Sequence, residues 1–156
     1  MHGWRWMILR SQTGYLHSLT GLMVGIGTYT RDGPSLRQNT VIRPDRCPHG
    51  KRSIPNPECV CGIYYFDSTL ALRNYWAQTA HIFRADLMAE TAVTKGIATG
   101  PHLPDFLYPD QPGARRAAQY TIESIAVQKW TPKPTVRLLE DHYRVPVTLG
   151  ITEALT

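Results

Sequence analysis

The sequence predicts an α+β domain with a small, mostly antiparallel sheet, about two helices and one loop rich in Cys and His. Three observations predict this fold class. Several short runs of β-branched and aromatic residues lie between turn residues, as strands do. One run of apolar residues recurs at steps of four and three, as on one face of a helix, and all three cysteines lie within one short stretch. The chain has 156 residues, the usual size of one domain, so we expect residues 1–156 to fold as a single unit.

The N-terminal region is predicted to form a β-hairpin. WRWMIL and YLHSLT have the composition of two short strands, and SQTG between them supplies turn residues, with Gly14 able to take a positive φ. From Gly21 to Pro44 the pattern indicates loops around one further strand near residues 40–42. The Cys-rich loop, residues 46–62, follows, and its prolines exclude a helix there.

The middle of the chain is predicted to form a strand and then a helix. CGIYYF has the composition of a short buried strand, and Asp67 or Ser68 would cap the helix after it. The apolar face of this helix would consist of Leu72, Trp76, Ala80, Phe83 and Leu87. Beyond about residue 80 a strand fits equally well, because apolar and polar residues then alternate as far as Val93. The pattern leaves the boundary open.

The C-terminal part is predicted to hold a proline-rich loop, two strands and a second helix. PHLPDFLYPDQPG, residues 101–113, has four prolines in thirteen positions and must be a loop or an extended segment. AQYTIESIAV is typical of a strand, and TPKPTVRLLEDHYR of a short helix with Thr131 or Thr135 near its start. VPVTLG would form a last strand, which Pro146 places at a sheet edge.

Charge is concentrated in the first part of the chain. Residues 1–66 carry eight Lys or Arg against three Asp or Glu, and residues 67–156 carry nine against nine, so the net charge of +5 lies in the first part. A cationic segment attracts phosphate or an acidic surface, although a solvated basic loop has the same composition. The predicted nucleic-acid contacts around the Cys-rich loop are Arg43, Arg46, Lys51 and Arg52.

The sequence indicates a soluble, cytoplasmic protein. Its first residues lack the apolar core of a signal peptide, and the longest apolar run, GLMVGIGTY, is too short to cross a bilayer. Three cysteines are an odd number, and Cys59 and Cys61 lie too close in sequence for an unstrained disulfide. A secreted disulfide framework is therefore disfavoured.

The Cys-rich loop predicts a structural zinc site. Cys47, His49, Cys59 and Cys61 supply four Cys and His ligands, the set that structural zinc prefers, although each pair has one intervening residue instead of the usual two. His81 or His102 are alternative fourth ligands. The cysteines could instead be small buried hydrophobic residues, with Cys47 free. They could also form a redox or nucleophilic site activated by neighbouring cations.

The Cys-rich loop also resembles a motif in a family of small uncharacterised proteins from actinobacteria and their phages. The motif is formed by Cys47, Pro55, Pro57, Cys59, Cys61, Gly62, Ile63 and Tyr64. In this sequence, Gly113, Arg115 and Ala117 are similar to a G-x-R-A element of the family. HYRVPV, residues 142–147, is similar to its Y-G-V-P-V ending, although Arg144 replaces Gly. The family usually has a histidine at the position of Arg52, so His49 would replace that ligand. The resemblance implies a metal site and a phage or prophage setting, and no established activity.

Three classes of function follow from these features. The first is a zinc-stabilised accessory or regulatory protein that binds nucleic acid through its basic N-terminal half, with aromatic residues such as Trp4, Trp6, Tyr15 and Tyr29 near the charges. The second is a protein-interaction factor that docks on a host or phage enzyme through the proline-rich loop. Its predicted contacts are Leu103, Phe106, Leu107 and Tyr108. A zinc-dependent enzyme, with Glu58 as the base, ranks last, since no small-molecule site or catalytic signature is evident.

Overall fold

A computed structural model describes residues 1–12, 14–18, 41–42, 47, 50, 53–59, 61–79, 91–104 and 112–156. These residues form a mostly antiparallel sheet with helices, the α+β class that the sequence predicts. The strands are β1 (His2–Arg10), β2 (Tyr15–Ser18), β3 (Val41–Ile42), β4 (Ile63–Phe66), β5 (Thr91–Pro104), β6 (Ala114–Val127) and β7 (Val147–Leu149). The helices are α1 (Thr69–Thr79), α2 (Lys133–Tyr143) and α3 (Ile151–Ala154). The four-residue α3 has no counterpart in the sequence-based prediction of about two helices.

Four of the strands pair in a closed ring. β5 pairs with both β1 and β6, and β4 joins the other edges of the same two strands. The pairing between β1 and β4 is a single residue pair, Trp4 opposite Phe66. β1 and β2 pair antiparallel and form the predicted N-terminal hairpin. β7 pairs with β6, and this is the one parallel pairing among the described residues. The two long strands β5 and β6 are therefore the frame on which the remaining elements are placed.

Side chains on the two faces of the sheet form two separate cores. One core includes Met7, Ile63 and Tyr120 and is covered by Leu139 and Tyr143 of α2. The other includes Trp6 and Leu72 and receives Ile151 of α3. The alternation of side chains along β1 divides them between these cores. Trp6 is buried and stacks on Trp76 with ring centroids 4.1 Å apart, so its ring is not available for stacking on a nucleic-acid base.

The starts of the two longer helices use different chemistry. The Ser68 hydroxyl accepts a hydrogen bond from the Ala71 amide at 3.2 Å, which confirms one of the two predicted caps of α1. α2 begins after Pro132, which has no side-chain acceptor for a cap, and Pro134 in its first turn has the φ that a helix start requires. Thr131 and Thr135 both lie near the start of α2, as predicted, and the Thr135 hydroxyl donates to the Ser11 carbonyl at 3.0 Å.

The structure bears on two predicted boundaries. α1 is described as far as Thr79, and residues 80–90 lie outside the described residues, so the helical end of the 72–87 pattern is not tested. Thr91 and Val93 lie in β5, as the alternating pattern predicts. β5 continues to Pro104, so the first four residues of the proline-rich segment belong to the sheet. They remain extended because proline fixes a φ that a strand accommodates.

The helices of the described residues are all too short or too polar to cross a membrane.

Candidate metal centre

The first part of the centre is a tight turn at Cys47. The Gly50 amide donates to the Cys47 carbonyl at 3.1 Å, and Gly50 has φ of 72°, a conformation that glycine adopts without a steric penalty. Pro48 and His49, between these two residues, lie outside the described residues. The turn places the buried Cys47 side chain against the segment that carries the other two cysteines.

The second part is a short loop that Asn56 organises. The Asn56 side-chain amide donates to the Ser53 hydroxyl at 2.9 Å, and its carbonyl oxygen accepts the Glu58 amide at 2.9 Å. The Asn56 backbone carbonyl accepts the Cys59 amide at 3.2 Å. Sequence reasoning missed Asn56, although Asn followed by Pro in a turn is the available signal. These hydrogen bonds fix Cys59 relative to Ser53 without a bound metal.

The three cysteines converge in one buried cluster. Their Sγ atoms lie within 4.8 Å of one another, and the Cys47 and Cys59 Sγ atoms are 3.3 Å apart. None of the three is part of a disulfide among the described residues, and each is 5% exposed or less. Tetrahedral zinc with Zn–S bonds of about 2.3 Å holds its sulfurs about 3.8 Å apart. The cluster therefore has the dimensions of a three-cysteine metal site, as the sequence predicts for these cysteines.

Burial favours the neutral form of the Cys61 thiol. Burial, followed by smaller contributions that include the neighbouring Cys47 and Cys59 thiols, raises the pKa of the Cys61 thiol to about 11 against an opposing hydrogen bond from the Asn56 backbone. A bound cation reverses this preference, because a coordinating thiol loses its proton to the metal. The cluster is thus suited to take up a soft divalent cation, with release of protons.

A buried arginine fastens the cysteine segment to the sheet. Arg116 on β6 is 2% exposed, and its Nη1 donates to the carbonyls of Cys59 and Cys61, the latter at 2.9 Å. Its Nε donates to the Pro104 carbonyl at 3.0 Å. Sequence reasoning missed this residue, because nothing in the local pattern distinguishes Arg116 from its neighbour Arg115.

Gly62 lets the chain pass directly from the last cysteine into β4. Its φ is 122°, which side-chain-bearing residues rarely adopt, and a Cβ there would lie 3.0 Å from the Pro55 Cβ. The same Cβ would lie 3.3 Å from the Ala117 carbonyl oxygen. The loop and β6 therefore pack closely at this position, which brings the cysteines onto the edge of the sheet.

The histidines with described side chains lie away from the cluster. His102 is on β5, and its Nδ1 lies 2.8 Å from the Tyr65 hydroxyl. His142 stacks on Tyr15, and His2 lies 3.4 Å from Glu123. Among the described residues only the three cysteines form such a ligand group, so His102 is not the fourth ligand in this arrangement. His49 and His81 lie outside the described residues.

The other predicted contact residues are described only in part. Arg43, Arg46, Lys51 and Arg52 all lie outside the described residues, although they flank Cys47 and Gly50 in sequence. Phe106, Leu107 and Tyr108 also lie outside them. Leu103 is half-buried on β5 opposite Arg116, so it belongs to the sheet beside the cluster. Glu58 is exposed.

No protein-family model, curated protein or solved structure matches this chain significantly.

Proposed function

We propose that this protein is a small zinc-stabilised accessory or regulatory module. The convergence of three buried Sγ atoms within 4.8 Å carries the proposal. Thiolate ligands select zinc over magnesium or calcium, which prefer oxygen. The proposed zinc is structural: with His49 as the fourth ligand beside Cys47, Cys59 and Cys61, four protein ligands would close the site to a substrate.

Zinc in this position fixes a loop and not the whole fold. The cysteines form a small cluster with Ile54, separate from the two larger cores of the sheet. The metal would join the turn at Cys47 to the segment that enters β4, and thereby set the course of the cationic residues around Cys47. Cations close together in sequence attract a phosphate backbone, so nucleic acid is the proposed partner.

Elemental analysis of the purified chain tests the metal. We expect one zinc per chain, and we expect Cys59→Ser or Cys61→Ser to remove it because a hydroxyl is a poor zinc ligand. Ile54→Val is the matched control, since it changes the packing of the cluster and leaves all three thiols in place. A metal-free unsubstituted chain, purified without chelator from zinc-supplemented cells, would refute the proposed function.

The fourth ligand is tested separately with two histidine substitutions. His49→Ala should weaken zinc binding in a competition with a chromophoric chelator, because a structural site then lacks one protein ligand. His102→Ala should not, because the His102 imidazole contacts Tyr65 and is outside the cysteine cluster. Equal affinities for the His49→Ala variant and the unsubstituted chain would exclude His49.

A further inference from the structure

We propose that Arg116 is a positioning residue of the metal site, which orients Cys59 and Cys61 and balances the net negative charge of the three thiolates with their bound divalent cation. The inference rests on the proposed function, since it concerns the affinity of the same three cysteines for zinc. It goes beyond the ligand set, because Arg116 is distant in sequence and donates to ligand backbone groups without binding the metal itself.

Arg116 donates hydrogen bonds to three carbonyls in two parts of the chain. One nitrogen, Nη1, donates to both cysteine carbonyls, and Nε donates to Pro104 at the end of β5. The guanidinium is planar and rigid, so these bonds fix the peptide groups of Cys59 and Cys61 relative to the sheet. Two ligands are thereby oriented by β6, a strand held by its pairing with β4 and β5.

The charges of the site indicate why an arginine is buried there. Three thiolates and one divalent cation carry a net charge of minus one, and a neutral imidazole leaves it unchanged. Burying an uncompensated charge is costly, and arginine keeps its positive charge at all relevant pH values. A guanidinium against the ligand backbone therefore brings the total charge of the buried unit to zero.

The test is zinc affinity in the full-length chain, measured by competition with a chromophoric chelator. Arg116→Met removes the charge and the donors, and we expect a loss of affinity of about 10- to 100-fold, the usual effect of removing an outer partner of a metal ligand. Arg116→Lys keeps the charge and some donor capacity, and we expect it to recover most of that loss. Far-UV circular dichroism of the zinc-bound variants establishes that they are folded.

Arg115→Met is the matched control. Arg115 is the adjacent residue on β6 but points to the other face of the strand, where its Nε lies 2.8 Å from Asp67. We expect this variant to bind zinc within about twofold of the unsubstituted chain, because the Arg115–Asp67 ion pair is partly exposed and does not touch the cysteines.

Three outcomes would overturn the inference. They are unchanged affinity in Arg116→Met, an equal loss in Arg115→Met, and no recovery in Arg116→Lys. If Arg116→Met does not fold, Arg116→Lys decides, and a hundredfold loss in this folded, charged variant counts against charge balance. Absence of zinc from the unsubstituted chain is a different result, which refutes the proposed function before Arg116 is tested.

Discussion

Several buried polar side chains form hydrogen bonds with groups that are distant in the sequence. The Tyr120 hydroxyl donates within the interior to the Gly3 carbonyl at 3.0 Å or the Thr94 carbonyl at 3.2 Å, and Arg5 lies over its ring at 5.5 Å. Burial raises the pKa of Tyr65 to about 12, so its hydroxyl stays protonated beside the His102 imidazole. These residues are buried where strands meet, and their partners cannot be read from local sequence.

His102 gives a pH dependence that can be measured. Burial, then the N-terminal ammonium and Arg115, lowers the pKa of His102 in the folded chain. The unfolded chain thus binds a proton more readily, so this contribution to stability is present above about pH 6.5 and is lost as the pH falls through the folded pKa. In urea unfolding with chelator present, His102→Gln should flatten the decline of the unfolding free energy below pH 6.5. Parallel curves for the two proteins would contradict this assignment.

At the scale of elements, α2 fastens the N-terminal hairpin. The Leu16 amide donates to the Tyr143 hydroxyl at 2.7 Å, and the Thr135 hydroxyl donates to the Ser11 carbonyl. Tyr15 stacks on His142 with ring centroids 4.3 Å apart. One face of α2 therefore carries a series of contacts to the turn between β1 and β2, and this explains why the helix lies across the end of that hairpin.

Tyr143→Phe tests this attachment. It leaves the buried Leu16 amide without its acceptor, so we expect a loss of about 1–3 kcal/mol in the unfolding free energy. The control is Tyr15→Phe, which keeps the aromatic ring stacked on His142 and should change stability by less than about 0.5 kcal/mol. Urea titration of both variants gives the comparison. Equal effects would mean that the Tyr143 hydrogen bond contributes nothing specific.

At the scale of the whole molecule, the residues that carry the net positive charge, 1–66, also contribute strands β1 to β4 to the sheet. The net charge of +5 comes from residues 1–66, which include the turn at Cys47. The two cores involve β1, β5 and β6 and do not include the cysteines. Substitutions in the cysteine cluster are therefore expected to leave the sheet folded.

Binding to nucleic acid is tested by its dependence on salt. If the proposed partner is right, the affinity for duplex DNA or RNA should fall steeply with salt concentration, because bound cations release counterions from phosphates. Changing Arg43, Arg46, Lys51 and Arg52 to Gln should reduce the slope of log K against log salt by about 0.9 for each phosphate that the protein no longer neutralises. Fluorescence anisotropy at several salt concentrations provides the slopes.

A second set of substitutions controls for net charge. It changes four exposed cations of residues 67–156 to Gln, namely Arg73, Lys133, Arg137 and Arg144. This set has the same charge difference, and we expect the slope to be largely preserved. Absence of any salt-sensitive binding at low ionic strength would exclude the nucleic-acid partner.

The sequence by itself determined the elements and the ligand chemistry. Strand-like composition between turn residues predicted the hairpin, β4 and β6. Apolar residues at steps of four and three predicted α1, helix-start residues predicted α2, and the three cysteines predicted the cluster. Each of these signals lies within one short segment, where side-chain periodicity and residue type are sufficient.

The tertiary structure decided what each element meets. It alone placed β4 between β1 and β6, put Trp6 into a core, and brought Arg116 to the carbonyls of Cys59 and Cys61. The physical reason is that these contacts join residues far apart in the chain, and their free energy depends on burial and charge at the meeting point. The local sequence pattern therefore does not predict which residues come into contact there.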